Sequence, residues 1–225
     1  MSEMKMDNSV QKNISREDQF ALRKGRSEPE CMVLGAGLPY RPNDDRTLVD
    51  GRLAVKAHMK AYNEFPWPQS PDSYFGPNAR QALLGKVFGL TLEEIIGRPI
   101  EIEPPFWVDY GTRIEFAGSF YANTSLVILD AAKVKIGTRV LCGPRVGIYS
   151  ASHSSQQSGF DRAYPVEIGD DCWLGAGCII NGPTKIGKGC TIAAGAVVRG
   201  TFPDHCVIGG VPARILKFLQ PPQSL

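Results

Sequence analysis

Aliphatic residues recur at every sixth position through the second half of the chain. From Val166 the sequence reads VEIGDD, CWLGAG, CIINGP, TKIGKG, CTIAAG, AVVRGT, which brings Ile168, Leu174, Ile180, Ile186, Ile192 and Val198 into register. A small or polar residue follows nearly every one: Gly169, Gly175, Asn181, Gly187 and Ala193, with Arg199 the exception. Phe116, Ala122, Ile128, Val134, Val140 and Val146 carry the same spacing upstream. A strand repeats every two residues and a helix every 3.6, so neither gives six. A coil with three flat faces does. Each face is then a short strand that pairs with the one three sixes further on, with small residues at the corners. The 20 residues between Val146 and Val166 are three sixes plus two, so a loop interrupts the ladder after Ile148.

Ahead of the ladder the period is helical. Asp45 to Asn63 places Leu48, Leu53, Val55, Met59 and Tyr62 on one stripe. A Pro-rich break covers Phe65 to Pro77, Asn78 to Phe88 reads as a second helix, and a short third starts over Leu92 to Ile96. The expected organisation is a polar tail at 1–30, helical near Glu17 to Lys24, a helical segment at 31–98, a β-helix at 99–218 and a tail at 219–225.

The chain has 225 residues, with 25 Lys+Arg against 23 Asp+Glu. A net charge of +2 gives no field for nucleic acid or an anionic membrane, so neither is expected as a partner. No apolar run is long enough to span a bilayer or to serve as a secretory signal, and a cytoplasmic location is expected. Cys172, Cys178 and Cys190 sit two residues before a ladder aliphatic. They are read as inward-facing packing residues rather than as metal ligands. No metal is expected.

The ladder together with DYG (109–111), FYAN (120–123), Ser-Ala-Ser-His (150–153), GDDCWLGAG (169–177), GGVPARILK (209–217) and MVLGAGLPYRPNDDRTL (32–48) resembles the maltose and galactoside O-acetyltransferases. The resemblance covers roughly residues 31 to 218. It implies a mainly β fold, a left-handed parallel β-helix behind a small N-terminal helical segment. It also implies a homotrimer whose seams bind acetyl-CoA as co-substrate, and a small-molecule hydroxyl as acceptor.

Site residues follow from the same resemblance. His153 lies where the ladder breaks and matches the catalytic histidine. An imidazole titrates near neutral pH, and acetyl transfer to a hydroxyl needs a base for the hydroxyl proton. Asp109 and Asn123 match acceptor-contacting positions. Trp107 stands where a polar or basic residue is common, which predicts a less polar acceptor than maltose. Trp173, Ala176 and Ala194 match the wall along the pantetheine arm, although Trp173 equally suits a filler of the seam. Arg199, Arg214 and Lys217 match the phosphate and adenine end. His153 is followed by Ser154 where the family has proline, the loop to Pro165 is shorter, and Asn181-Gly182-Pro183 exchanges the usual order. Two other readings compete. A zinc enzyme on this scaffold needs three converging histidines, and the chain has only His58, His153 and His205. A non-catalytic trimeric scaffold is the alternative to an enzyme.

Overall fold

The computed structural model describes residues 26–33, 37–68, 74–153 and 160–220. The helix expected near Glu17 to Lys24 lies outside them. Helix α1 (Glu28–Val33) crosses the expected junction between tail and helical segment. It is followed by α2 (Arg46–Asn63), α3 (Asn78–Phe88) and α4 (Leu92–Gly97). Asp45 sets the start of α2, its carboxylate accepting from the Leu48 amide at 3.2 Å and the Thr47 amide at 2.9 Å. Leu48, Val55, Met59 and Tyr62 are buried, but Leu53 is 59% exposed. Five residues beyond Leu48, it is rotated about 140° off the buried stripe. Tyr62 anchors this cap to the rod by donating its hydroxyl to the Ile102 carbonyl at 2.6 Å.

The rest of the chain winds as a left-handed parallel β-helix. The first coil carries β1 (Ile100–Ile102), β2 (Trp107–Val108) and β3 (Ile114–Phe116). The second carries β4 (Phe120–Ala122), β5 (Val127–Leu129) and β6 (Val134–Ile136). In the third, β7 (Val140–Cys142) and β8 (Gly147–Tyr149) precede an inserted hairpin, β9 (Ala151–His153) with β10 (Asp161–Ala163), before β11 (Val166–Ile168) closes the turn. The fourth has β12 (Trp173–Leu174) and the bent β13 (Ile179–Ile186), the fifth β14 (Thr191–Ile192) and the bent β15 (Val197–Phe202). Finally β16 (Cys206–Gly210) turns back on β17 (Ala213–Phe218) in an antiparallel pair.

Three faces result. Face one stacks β1, β4, β7, β12, β14 and β16. Face two stacks β2, β5, β8 and the first halves of β13 and β15, and face three stacks β3, β6, β11 and their second halves. All twelve ladder positions named above are buried within this rod. Dry stacking of aliphatic side chains between neighbouring coils holds it together.

The coils are not uniform. Trp173 pairs with Thr191, the eighteen-residue turn that three sixes require. Upstream the turn is twenty residues, since Phe120 pairs with Val140 and Ile114 with Val134. The two extra residues lie at the corner between faces two and three. There Asp130 is fully buried and accepts from the amides of Tyr110 at 2.9 Å, Asp109 at 3.1 Å and Arg113 at 3.3 Å. An acid that ties down three backbone donors lets a wider corner exist without unsatisfied amides.

All six cysteines are buried, and none forms a disulfide. Burial pushes the Cys178 thiol up to about 12, as suits a packing residue. Cys172, Cys178 and Cys190 do face inward, as the period requires, but they do not form one column. Cys178 lies at the start of face two, whereas Cys172 and Cys190 stack with Cys206 behind face one, with 3.6 Å between the Cys190 and Cys206 sulfurs.

Candidate active site

The edge between faces two and three gathers the chemistry. The ladder breaks there, and the β9–β10 hairpin projects with Asp161 opposite His153. Nδ1 of His153 lies 2.6 Å from Oδ1 of Asp161. The imidazole is 83% exposed and the carboxylate only 24%. A ring that donates from Nδ1 to a fixed carboxylate keeps its lone pair on Nε2, the atom that can take a proton. The hairpin is itself clamped. Tyr40 and Asp161 exchange backbone hydrogen bonds at 3.0 and 2.9 Å, the Gly37 amide donates to the Ala163 carbonyl at 3.2 Å, and Arg162 donates to the Gly37 carbonyl at 2.6 Å. Gly37 has φ +70, and a Cβ there would meet the Tyr164 ring at 2.5 Å, so only glycine fits this crossing.

Asp109 ends face two at the same edge. Burial raises its carboxyl above the ordinary range, while Arg52 and Lys56 from the cap and Arg113 pull it back. The negative charge of Asp161 adds a smaller upward push, since the two acids share one neighbourhood. Arg52 is itself held by the Pro42 carbonyl at 3.0 Å and the Asn43 side chain at 2.7 Å. Arg199 stands on this edge too, its guanidinium 5.8 Å from the Tyr164 ring centroid.

The other expected residues line a different edge, between faces one and two. Asn123 follows β4, and its amide bonds the Tyr121 hydroxyl at 3.3 Å and the Thr124 amide at 2.8 Å. Ala176 and Ala194 stack on successive coils, the Gly195 amide donating to the Ala176 carbonyl at 3.0 Å. These corners are closely built, since a Cβ on Gly175 would sit 2.6 Å from the Ala194 nitrogen. Trp107 opens face two just past this edge and is 45% exposed. Trp173 is 55% exposed on face one, in an outward column that runs Tyr121, Leu141, Trp173, Thr191, Val207 and Lys217. Arg214 lies on β17 opposite Gly209. Within one chain, then, His153, Asp109 and Arg199 are separated from Asn123, Trp173, Ala176 and Ala194 by the width of face two.

Sequence reasoning passed over Asp161, Asp130 and Tyr40. Asp161 follows His153 by eight residues, and only the hairpin, which a six-residue period does not announce, brings them together. A groove of about 510 Å³ on face three lies near the third edge, apart from His153. Its outer charges satisfy one another, with Glu167 3.8 Å from Lys135 and 3.6 Å from Lys185. Among the described residues no cluster of His, Cys, Asp or Glu is arranged to hold a metal ion, and no helix is long and apolar enough to cross a membrane.

Comparison with known proteins agrees with this architecture. Residues 165–200 match the bacterial transferase hexapeptide family, and residues 35–91 match the maltose acetyltransferase hexapeptide capping motif. The sophorolipid acetyltransferase of Starmerella bombicola is 35% identical over 202 residues, covering 87% of this chain and 74% of that one. The crystal structure of a maltose O-acetyltransferase from Clostridium difficile 630 superposes with a TM-score of 0.76 at 32% identity, covering 87% of this chain and 99% of that one. A hexapeptide-repeat acetyltransferase from Vibrio cholerae O1 biovar eltor, complexed with acetyl coenzyme A, gives 0.72 at 29% identity over 87% of this chain and all of that one. The chain therefore belongs to the hexapeptide-repeat acetyltransferases and is an acyltransferase with the maltose acetyltransferase type of N-terminal cap.

Proposed function

We propose that the protein transfers the acetyl group of acetyl-CoA to a hydroxyl of a small molecule, a sugar or a less polar natural product, in the cytoplasm. His153 is the general base. Its Nε2 takes the hydroxyl proton as the oxygen attacks the thioester carbon, and returns it to the departing CoA sulfur. Asp161 fixes the ring and stabilises the imidazolium that forms between those two events. No covalent link to the enzyme is needed. Asp109 and Asn123 hold the acceptor beside Trp107, and the pantetheine arm lies along Trp173, Ala176 and Ala194. Arg214 and Lys217 meet the phosphates. Arg199, on the His153 edge, reaches them from the opposite side of the cleft.

The observation that carries this reading is the exposed His153–Asp161 pair beside Asp109. The division of the site between two edges supports a homotrimer. In a ring of three chains, the His153 edge of one protomer meets the Asn123 edge of the next, so each seam holds a complete site. The exposed apolar column around Leu141 and Trp173 is a surface suited to such packing. Replacement of His153 by alanine tests the base. Transfer falls by about two decades or more while acetyl-CoA binding and thermal stability persist. Full activity in that variant would reject the assignment, and no CoA binding by the wild type in calorimetry would favour the scaffold alternative.

A further inference from the structure

Two arginines of the rod are held at positive φ, Arg139 at +56 and Arg145 at +59. This conformation suits glycine and strains any residue that carries a Cβ. For Arg139 the fold supplies a reason, because its guanidinium grips Asp171 through two contacts at 2.5 and 2.7 Å. Arg145 has no such reason. Its amide donates to the Thr124 carbonyl at 3.0 Å, but its exposed guanidinium makes no hydrogen bond or ion pair among the described residues. On the next two coils the same left-handed corner is filled by Gly177 and Gly195, at φ +66 and +70. A Cβ on either would meet nothing within 4 Å, so this edge faces open space. Arg145 is thus a strained, unpaired cation in a column otherwise kept small.

Its place along the rod says what it addresses. Arg145 is one coil beyond Asn123 and one coil before Ala176. Arg214 and Lys217, on β17, lie four strand spacings further on, ~19 Å away, so the proposed phosphate end of the CoA site has its own cations. We propose that Arg145 is a specificity residue that reads an anionic group, a carboxylate or a phosphate or sulfate ester, on the hydroxylated acceptor. This rests on the reading of the Asn123 edge as the acceptor end of the site. A guanidinium in a cleft from which water is expelled favours an anion over a neutral isostere by roughly tenfold or more.

The test uses a matched pair, 4-nitrophenyl β-D-glucuronide and 4-nitrophenyl β-D-glucoside, with CoA release as readout on the full chain. The wild type is expected to give a kcat/KM ratio of ten or more in favour of the glucuronide. In Arg145→Asn, whose side chain tolerates the left-handed corner, the ratio falls toward one. Three results overturn the proposal: a wild-type ratio near one, a ratio that survives the substitution, or an equal loss on both sugars, which would mark an oxyanion or structural role. Acetyl-CoA binding without turnover of either sugar also counts against it. Failure to bind acetyl-CoA at all would instead sink the acetyltransferase reading itself.

Discussion

Asp161 touches His153 twice over, as its antiparallel partner across the hairpin and through a 2.6 Å contact between carboxylate and Nδ1. The backbone pairing sets the distance, and the side chain sets the ring. The general base proposed here, on a projecting hairpin, needs both, because an untethered imidazole would spread over its rotamers. Replacing Asp161 by asparagine keeps the shape and removes the charge. We expect kcat to fall about ten- to thirtyfold, the worth of one ionic hydrogen bond, with the KM for acetyl-CoA unchanged. Steady-state kinetics at saturating acceptor would show it, and an undiminished kcat would remove Asp161 from the mechanism.

Trp173 stands out from face one next to Leu141, which is itself 50% exposed. If this column packs against a neighbour, its loss has to weaken assembly. Sedimentation should give the wild type three times the 24.5 kDa chain mass. Trp173→Asp should shift it toward monomer and lose transfer in parallel. A monomeric wild type with full activity contradicts the shared-seam arrangement.

Asp130 is a stability prediction. Alanine in its place would strand the amides of Tyr110 and Arg113 in a buried corner, while the Asp109 amide keeps its bond to the Ile128 carbonyl at 3.3 Å. At roughly 1–3 kcal/mol for each unsatisfied group, partly relieved by relaxation, the loss should be about 3 kcal/mol. Urea unfolding would report it as a lower midpoint. A change under 1 kcal/mol would mean that water reaches the corner.

Asp109 should behave in the opposite sense. Burial raises its carboxyl in the folded state, so the folded chain holds that proton more tightly than the unfolded chain. The charged form then opposes folding above the ordinary carboxyl range near 3.9, and the effect disappears below it. Asp109→Asn should accordingly raise the Tm at pH 7, with the gain shrinking as the pH approaches 4, while transfer to the acceptor declines. Equal Tm values at pH 7 would show that Arg52, Lys56 and Arg113 fully offset the burial.

The rod was legible in the sequence because its physics is local. Each inward position, Ile168 to Val198, repeats the same demand for a medium aliphatic, and each corner asks for a small residue, so a period of six writes itself into the chain. Helix boundaries at Asn78 and Phe88 were equally plain, marked by a preceding Pro77 and a following Gly89. Leu53 lies off the buried stripe yet passes as part of it, because a 3.6-residue period still reads as helical with one apolar residue off its face. The wider upstream coils escaped notice, since six-spaced aliphatics there remain buried whether a turn takes eighteen residues or twenty. Motif resemblance singles out His153 as a candidate but not Asp161 or Tyr40. Their roles depend on a hairpin crossing a distant segment, a long-range contact that no periodicity encodes. The separation of Asn123 from His153 onto different edges likewise needed the winding itself.

The backbone pairing of Tyr40 with Asp161 ties together two parts of different origin, the N-terminal lead-in and the insertion that interrupts the rod. Were the lead-in to detach, the strand bearing Asp161 would lose its outer neighbour while the stacked coils stayed intact. Warming the enzyme should therefore abolish turnover several degrees before the β-helix melts, with the early amides of residues 37–40 and 161–163 exchanging together as one cooperative unit.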